Sequence, residues 1–245
     1  MKLYLGDCLD VMKNIPDQSI DFICVDPPYG TTKCPWDVVI PFQALWDEYH
    51  RIIKPNGAIA IFGQEPFSSL LRCSNLAEYK FDWYWEKERL TNISQVKRRA
   101  GKTVETISMF YAKQPTYNPQ MQIHEGPLRT NKIKDGKLGS LVDEQNKRPN
   151  EYHDTGLRYP TQVLRFQRDC LTCNLQDTQK PVALLEFLIK TYTNPGEVVL
   201  DSCMGSGSTG VACINTDREF IGIEKKSEHF AVAQNRLLDA GAVLE

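Results

Sequence analysis

The 245-residue chain predicts an α/β domain built on a doubly wound, mostly parallel sheet, and three observations carry that expectation. Short apolar runs alternate with stretches of helical spacing in both the first and the last parts of the chain. One run, Ile20–Val25, stops at Asp26-Pro27-Pro28-Tyr29. Another, Val198–Leu200, stops at Asp201 and opens a glycine-rich turn. Both stops fall at the carboxyl ends of strands, where open α/β sheets bind ligands.

Lys2–Gly6 reads as a short strand and Cys8–Asn14 as a helical turn. Ile20–Val25 is β-branched, aromatic and short, as a buried parallel strand should be, and two prolines stop its ladder. Phe42–Ile53 carries helical spacing, with Lys54-Pro55-Asn56-Gly57 as a stop-and-turn signal. Ala58–Phe62 is a second buried strand, Pro66–Ser74 a helix, Lys80–Trp85 an aromatic strand and Thr106–Tyr111 another strand. Trp83, Trp85 and Phe110–Tyr111 read as core. From Lys113 to Arg168 the periodicity fails, apart from short apolar pieces such as Leu138–Val142 and Gln162–Phe166. A long irregular stretch inside a compact domain points to function or disorder. Order returns with Pro181 and the helix Val182–Tyr192, then the turn Asn194-Pro195-Gly196 and the strand Val198–Leu200. A helix from Ser208 to Asn215, a strand Phe220–Ile223 and a last helix Glu228–Leu238 follow. The expected division is 1–113, an insertion at 114–168, and 169–245.

Net charge is −2 and the pI about 6.1, so no global charge announces a partner. Locally, Glu86 to Lys137 holds eleven Lys/Arg against five acids. A basic surface on a near-neutral protein is what a phosphate backbone needs. Met1–Gly6 runs straight into a strand with no signal pattern, and no apolar stretch reaches membrane-span length, so no membrane partner is expected. Cys8, Cys24, Cys73 and Cys213 lie in apolar or turn contexts and read as buried reduced thiols of a cytoplasmic protein. Cys170 and Cys173 form the only close pair, and the four histidines are scattered, so no metal site is expected.

Two prolines stiffen the Asp26–Tyr29 loop and lack N–H groups, leaving the Asp26 carboxylate and the carbonyls free to accept. Acceptors beside the aromatic face of Tyr29 suit a flat group bearing an exocyclic NH2, such as a nucleobase. Asp26, Pro27, Pro28 and Tyr29 are therefore the catalytic candidates. At the other end, Asp201-Ser202-Cys203-Met204-Gly205-Ser206-Gly207 lacks the lysine of a phosphate loop. Asp201 opens the turn and Glu224 ends the next strand. Carboxylates there suit a cationic, hydroxyl-bearing ligand, with Glu224 toward ribose hydroxyls and Asp201 toward an ammonium group. S-adenosylmethionine fits that description better than a dinucleotide does.

These blocks, with Gly6-Asp7-Cys8-Leu9, Trp36-Asp37, Phe81–Lys87, Glu105–Phe110, Thr178-Gln179-Lys180-Pro181 and Gly222-Ile223-Glu224, stand in one order along the chain. In that order the chain resembles the β-class amino methyltransferases of DNA, the permuted group in which the Asp-Pro-Pro-Tyr block precedes the S-adenosylmethionine block. The likeness covers Met1–Lys113 and Thr178–Ala240. It implies a Rossmann-like methyltransferase fold and S-adenosyl-L-methionine as cofactor. Double-stranded DNA is the implied partner, and 114–168 the target-recognition insertion. It implies that Asp7 and Cys8 lie near the cofactor adenine. The Thr178–Pro181 block would flank the methionine end, which makes Lys180 a cofactor-side candidate with a structural cap as its alternative. Asp26, Asp201, Ser202, Cys203, Gly205, Ser206, Gly207 and Glu224 complete the expected cofactor set.

An opening Asp is commoner among the family's adenine-N6 members and Ser among its cytosine-N4 members, so adenine N6 is the expected acceptor. Cytosine N4, an RNA base, a protein amide, and a DNA-binding module with a decayed cofactor site are the alternatives. A homodimer, a cognate restriction enzyme and a bacterial or phage origin come with the resemblance. Two departures stand out: Asp201-Ser202-Cys203 where the family writes Asp-Pro-Phe, and Gln176-Asp177 where it writes His-Pro. A phenylalanine at 203 would have packed on the cofactor. Cys34 reads as a loop residue rather than a nucleophile.

Overall fold

A computed structural model describes residues 1–124, 126–128, 131–132, 151–152, 154–169 and 179–244. The Cys170/Cys173 pair, Gln176-Asp177, Thr178, Leu138–Val142 and several basic residues of the expected insertion (Arg129, Lys134 and Lys137) lie outside them.

In chain order the elements begin with β1 (Lys2–Leu5), α1 (Cys8–Met12), β2 (Ile20–Val25), α2 (Phe42–Ile52), β3 (Ile53–Gly63) and α3 (Phe67–Ser74). Next come β4 (Tyr79–Glu86), a 3-10 turn (Ile93–Gln95) and β5 (Val104–Phe110). Four two-residue strands follow: β6 (Gln122–Ile123), β7 (Asn131–Lys132), β8 (Glu151–Tyr152) and β9 (Leu157–Arg158). The chain closes with β10 (Val163–Arg165), α4 (Val182–Tyr192), β11 (Val198–Asp201), α5 (Ser208–Asn215), β12 (Glu219–Glu224) and α6 (Ser227–Asp239).

Eight strands form one sheet in the order β1-β12-β11-β2-β3-β5-β4-β10. Only β5 runs antiparallel, against β3 and β4; the other pairs are parallel. Successive residues of a strand face opposite ways, and the central strands are buried on both faces. Phe22 and Cys24 of β2 and Ala58, Ala60 and Phe62 of β3 meet α4, α5 and α6 on one face. Ile23 and Val25, with Ile59 and Ile61, meet α1, α2 and α3 on the other. The sheet is thus covered on both sides, as the near-continuous apolar runs require.

From β11 the chain moves through α5 outward to β12. From β2 it moves through α2 in the opposite direction to β3. Strand order reverses between β11 and β2, which are hydrogen-bonded neighbours. A crevice opens at the carboxyl ends of two such strands, the switch point where ligands bind. Asp26 and Asp201, remote in sequence, end adjacent strands.

Two expectations need correction here. Lys54-Pro55-Asn56-Gly57 is not a turn before a separate strand. It is a bulge inside β3, where the register jumps from Ile20 opposite Ile53 to Phe22 opposite Ala58. The Lys54 ammonium fixes it by binding both Asp21 carboxylate oxygens at 2.7 and 2.8 Å. Cys73 is exposed rather than buried, while Cys8, Cys24 and Cys213 are buried.

The chain divides into one compact unit of Met1–Asn118 with Thr161–Glu245, and a second of Pro119–Pro160. The second is narrower than the irregular segment read from composition. Val163–Arg165 pairs with β4 and returns 161–168 to the main sheet. At the other boundary the Asn118 amide donates to the Lys190 and Thr193 carbonyls. Within Pro119–Pro160, β6 pairs with β9 and β7 with β8, and Arg158 makes two bonds to the Asp154 carboxylate, at 2.6 and 2.7 Å. Among the described residues no helix is long and apolar enough to cross a membrane.

Candidate active site

Beyond Val25, Pro27 and Pro28 stop β2 from pairing further, and the chain turns away at Gly30 with φ +65°. A side chain there would strike Val39, so glycine is required on both counts. The Asp37 carboxylate ties the departing loop down by accepting from the backbone N–H groups of Gly30 (2.8 Å), Thr31 (2.9 Å) and Thr32 (2.7 Å). Burial works against its charge, but these bonds prevail and hold its carboxyl below the usual range.

Asp26 is the hub of a charged network. One carboxylate oxygen accepts from the Tyr29 hydroxyl and the other from the Lys180 ammonium. Lys180 also pairs with Glu105 at 3.0 Å, and Lys87 pairs with the second Glu105 oxygen at 2.5 Å. Burial pushes the Asp26 carboxyl up, with Lys180 opposing and Glu105 adding to the rise. Burial would raise Glu105 as well, but Lys180 and Lys87 together hold it at about 2. Lys180 resists the burial that would discharge it because two carboxylates face it, and its pKa is raised. Burial and the two neighbouring acids keep the Tyr29 phenol protonated. The Tyr29 ring packs against Phe67, with centroids 5.1 Å apart. No hydrogen bond among the described residues reaches the Pro27 carbonyl.

At the neighbouring strand end, Asp201 accepts from the Cys203 N–H at 3.0 Å and the Thr209 hydroxyl at 2.6 Å. Burial nevertheless lifts its carboxyl to about 7, against the pull of those bonds. Glu224 accepts from the N–H groups of Gly205 (3.0 Å) and Lys226 (2.8 Å), tying the glycine turn to the end of β12. Asp7 caps α1 by accepting from Leu9 N–H at 3.0 Å, and it pairs with Lys225 at 2.9 Å. Ser202 is buried on the Tyr49 hydroxyl at 2.6 Å. The Cys8 and Cys203 thiols act on each other, the pair holding Cys8 below and Cys203 above the ordinary thiol range.

A single cavity of about 1250 Å³ runs from this end to the other. Asp7, Cys8, Asp26, Pro27, Pro28, Tyr29, Lys180, Asp201, Ser202, Cys203, Gly205, Ser206 and Glu224 all reach its wall. Gly207 is not on that wall. It has φ +77°, and a side chain there would press on Ala233 of α6. Glycine there allows the close approach of turn and helix. Lys180, expected near the cofactor, is paired with Asp26 and with Glu105 of β5.

The DNA methylase family model, of the N6/N4 group, matches residues 20–235. The chain belongs to the DNA methylase family. It is 32% identical to "DNA adenine methyltransferase YhdJ" of Escherichia coli K12, over 95% of this chain and 81% of that protein. It is 27% identical to "Type II methyltransferase M1.MboII" of Moraxella bovis, over 93% of each chain. Among solved structures, the M1.HpyAVI–SAM complex matches with a TM-score of 0.63 and 26% identity, covering 97% of this chain and all of that one. The PvuII cytosine-N4 methyltransferase matches at a TM-score of 0.67 and 19% identity, over 98% of this chain and 87% of that one, which shows the shared fold.

The cofactor of this DNA methylase is S-adenosylmethionine, and the residues present fit it. A buried carboxylate raised to about 7, with no cation paired to it among the described residues, is a site that gains from an ammonium group. Asp201 would hold that ammonium, Glu224 the ribose, and Asp7 and Cys8 the adenine side.

Because the empty site favours neutral Asp201 below pH 7, cofactor affinity is expected to rise between pH 6 and pH 8. The proton lost on binding gives a slope of up to about tenfold per pH unit at the acid end. Asp201→Asn is expected to bind weakly with no such slope, and titration calorimetry across that range checks both. The stability sign is opposite. A carboxyl raised in the fold keeps its proton there after the unfolded chain has lost it, so Asp201 makes the unliganded methylase less stable as pH climbs from about 4 to about 7.

Sequence reasoning did not single out Glu105 or Lys87 as site residues. A signal for Glu105 exists: it shares the buried face of β5 with Ile107 and Met109, where a lone carboxylate demands a partner. Tyr49, the partner of Ser202, reads from its spacing only as a core residue of α2.

Proposed function

We propose that this methylase transfers a methyl group to the exocyclic N6 amine of an adenine flipped out of double-stranded DNA, and that Asp26, Pro27 and Tyr29 hold the base. The observation that carries the reading is the pair of acceptors at the end of β2, Asp26 and the Pro27 carbonyl, which no hydrogen bond among the described residues reaches, on the same cavity as the glycine turn. Bases inside a duplex are out of reach, and flipping one costs a few kcal/mol of unstacking. In this reading the amine donates one N–H to the Pro27 carbonyl and the other to Asp26, each of whose oxygens keeps a second lone pair. That contact turns the amine lone pair toward the cofactor, so most of the acceleration is positioning. S-adenosylmethionine supplies the electrophilic methyl group. Asp26 accepts the proton the methylated amine sheds, while Lys180 stays charged and holds Asp26 ionised beforehand.

The name of the E. coli relative supports adenine. Incubation with unmethylated genomic DNA and S-adenosylmethionine, followed by mass spectrometry of the nucleosides, is expected to yield N6-methyladenine. N4-methylcytosine would keep the geometry and change the acceptor; no methylated nucleoside would overturn the reading. Sequencing the product then gives the target site.

The unit Pro119–Pro160 is the target-recognition element in this proposal, supported by its separate compactness and by the excess of Lys and Arg over acids along Glu86–Lys137, a stretch that runs into it. The type II name of M1.MboII supports a cognate restriction endonuclease, and a homodimer belongs to the same reading. In the same reading the protein acts on genomic DNA in the cytoplasm of a bacterial cell, encoded by the bacterium or by a phage.

A further inference from the structure

The segment joining β4 to β5, residues 87–103, is built and braced. Lys87 N–H bonds the Thr103 carbonyl at 2.7 Å and Thr91 N–H the Lys102 carbonyl at 2.9 Å. The Asn92 side chain closes the tip, donating to the Ala100 carbonyl at 3.1 Å and accepting from Lys102 N–H at 2.7 Å. The inner side of this loop forms part of the cavity wall through Asn92, Gln95 and Arg99. Arg89, Lys97 and Arg98 lie off that wall, and these three and Arg99 are exposed with no acidic partner among the described residues. Between the cavity-lining Asn92 and Gln95 stands Ile93, 71% exposed. A braced turn holding a stiff β-branched side chain in water, on a loop whose exposed cations have no acidic partner among the described residues, is a poor arrangement for a free surface. It is a good one for a surface that meets the phosphate backbone with its cations and the base stack with its apolar tip.

We propose that Ile93 is a positioning residue for the methyl transfer. It enters the base stack at the gap the flipped base leaves, while Arg98 and Arg99 hold the flanking phosphates. The proposal rests on base flipping as set out above. Extruding a base leaves a space lined by its former neighbours, and an apolar side chain delivered there on a rigid loop delays the base's return. Leu90 and Val96 are less exposed, at 41% and 42%. Leu90 also lies against Gly101 of its own loop, which leaves Ile93 as the residue free to insert.

The test compares two duplexes carrying the target site: one fully paired, and one with an abasic position opposite the target adenine, where flipping costs little. Single-turnover methylation by Ile93→Ala is expected to fall by about tenfold or more on the paired duplex and to stay within about threefold of the parent on the abasic one. Ile93→Leu should keep most of the rate on both, and S-adenosylmethionine affinity should not move. Equal slowing on both duplexes, or none on either, would overturn the wedge. So would a change in sedimentation coefficient, which would make Ile93 a contact between copies of this chain. A parent protein that methylates neither duplex would sink the function reading, and the wedge with it.

Discussion

An Asp26→Ala protein is expected to methylate DNA at least about 100-fold more slowly than the parent at saturating cofactor. That corresponds to roughly 3 kcal/mol of lost transition-state stabilisation, the scale for one preorganised polar group. The substitution removes an acceptor for the amine. It also frees Tyr29 and Lys180, both of which bind that carboxylate. Asp26→Asn separates the two effects, because it keeps an acceptor oxygen and the shape of the loop but removes the charge facing Lys180. If charge is what matters, as proton acceptor and as Lys180 partner, the asparagine protein should be nearly as slow as the alanine one. If geometry alone matters, it should recover much of the rate. Burial raises the Asp26 carboxyl, and the proposed mechanism uses its ionised form, so the parent's rate should fall as pH falls through that raised value. Cofactor affinity, measured by calorimetry on the same proteins, should change by less than about tenfold. Methylation by the alanine protein at close to the parent's rate would end this mechanism.

Lys180→Met is expected to cost stability as well as activity. Among the described residues Lys180 is the one cation shared by Asp26 and Glu105, and its ammonium also lies 5.2 Å from the centre of the Phe62 ring. Removing it leaves two largely buried carboxylates with Lys87 paired to Glu105 as the remaining cation of the network among the described residues. Breaking a buried pair in this way typically costs about 3–5 kcal/mol. The pH dependence gives the cause away. In the parent, Glu105 is held at about 2, below its unfolded value. Its ionised form therefore stabilises the fold above about pH 4.5, and that contribution is lost only as pH falls toward 2. Without Lys180 both carboxyls rise and take up protons earlier, which relieves their repulsion. Urea denaturation should therefore show a larger deficit at pH 7 than at pH 5. A deficit equal at the two pH values would mean that Lys180 acts through packing, and the shared-cation account would fail.

Much of this protein was legible in its sequence because the signals are local. An apolar run stopped by Pro27 and Pro28 is a strand with a ligand-facing end, and that follows from proline having no N–H to donate. The glycine turn after Val198–Leu200 is equally local, as are the helix at Val182–Tyr192 and the helical spacing from Phe42. Charge along the chain marked the basic surface that includes Arg98 and Arg99.

What the sequence did not carry are pairings between remote residues. Nothing near Asp26 says that β11 will lie beside β2, yet that neighbourhood brings Asp26 and Asp201 to one cavity. Lys54-Pro55-Asn56-Gly57 has every mark of a turn; it became a bulge because Asp21, on the next strand, holds Lys54. Val163–Arg165 is too short to announce a strand, and pairing with β4 alone makes it one. Glu105 and Lys87 lie in the blocks Glu105–Phe110 and Phe81–Lys87, but nothing local in those blocks gives them a role; it arises only where burial sets two carboxylates and two ammonium groups against each other. Local preference acts over a few residues through sterics and backbone hydrogen bonds. Burial and charge pairing depend on which distant segments meet, and in this methylase the tertiary structure alone decided that.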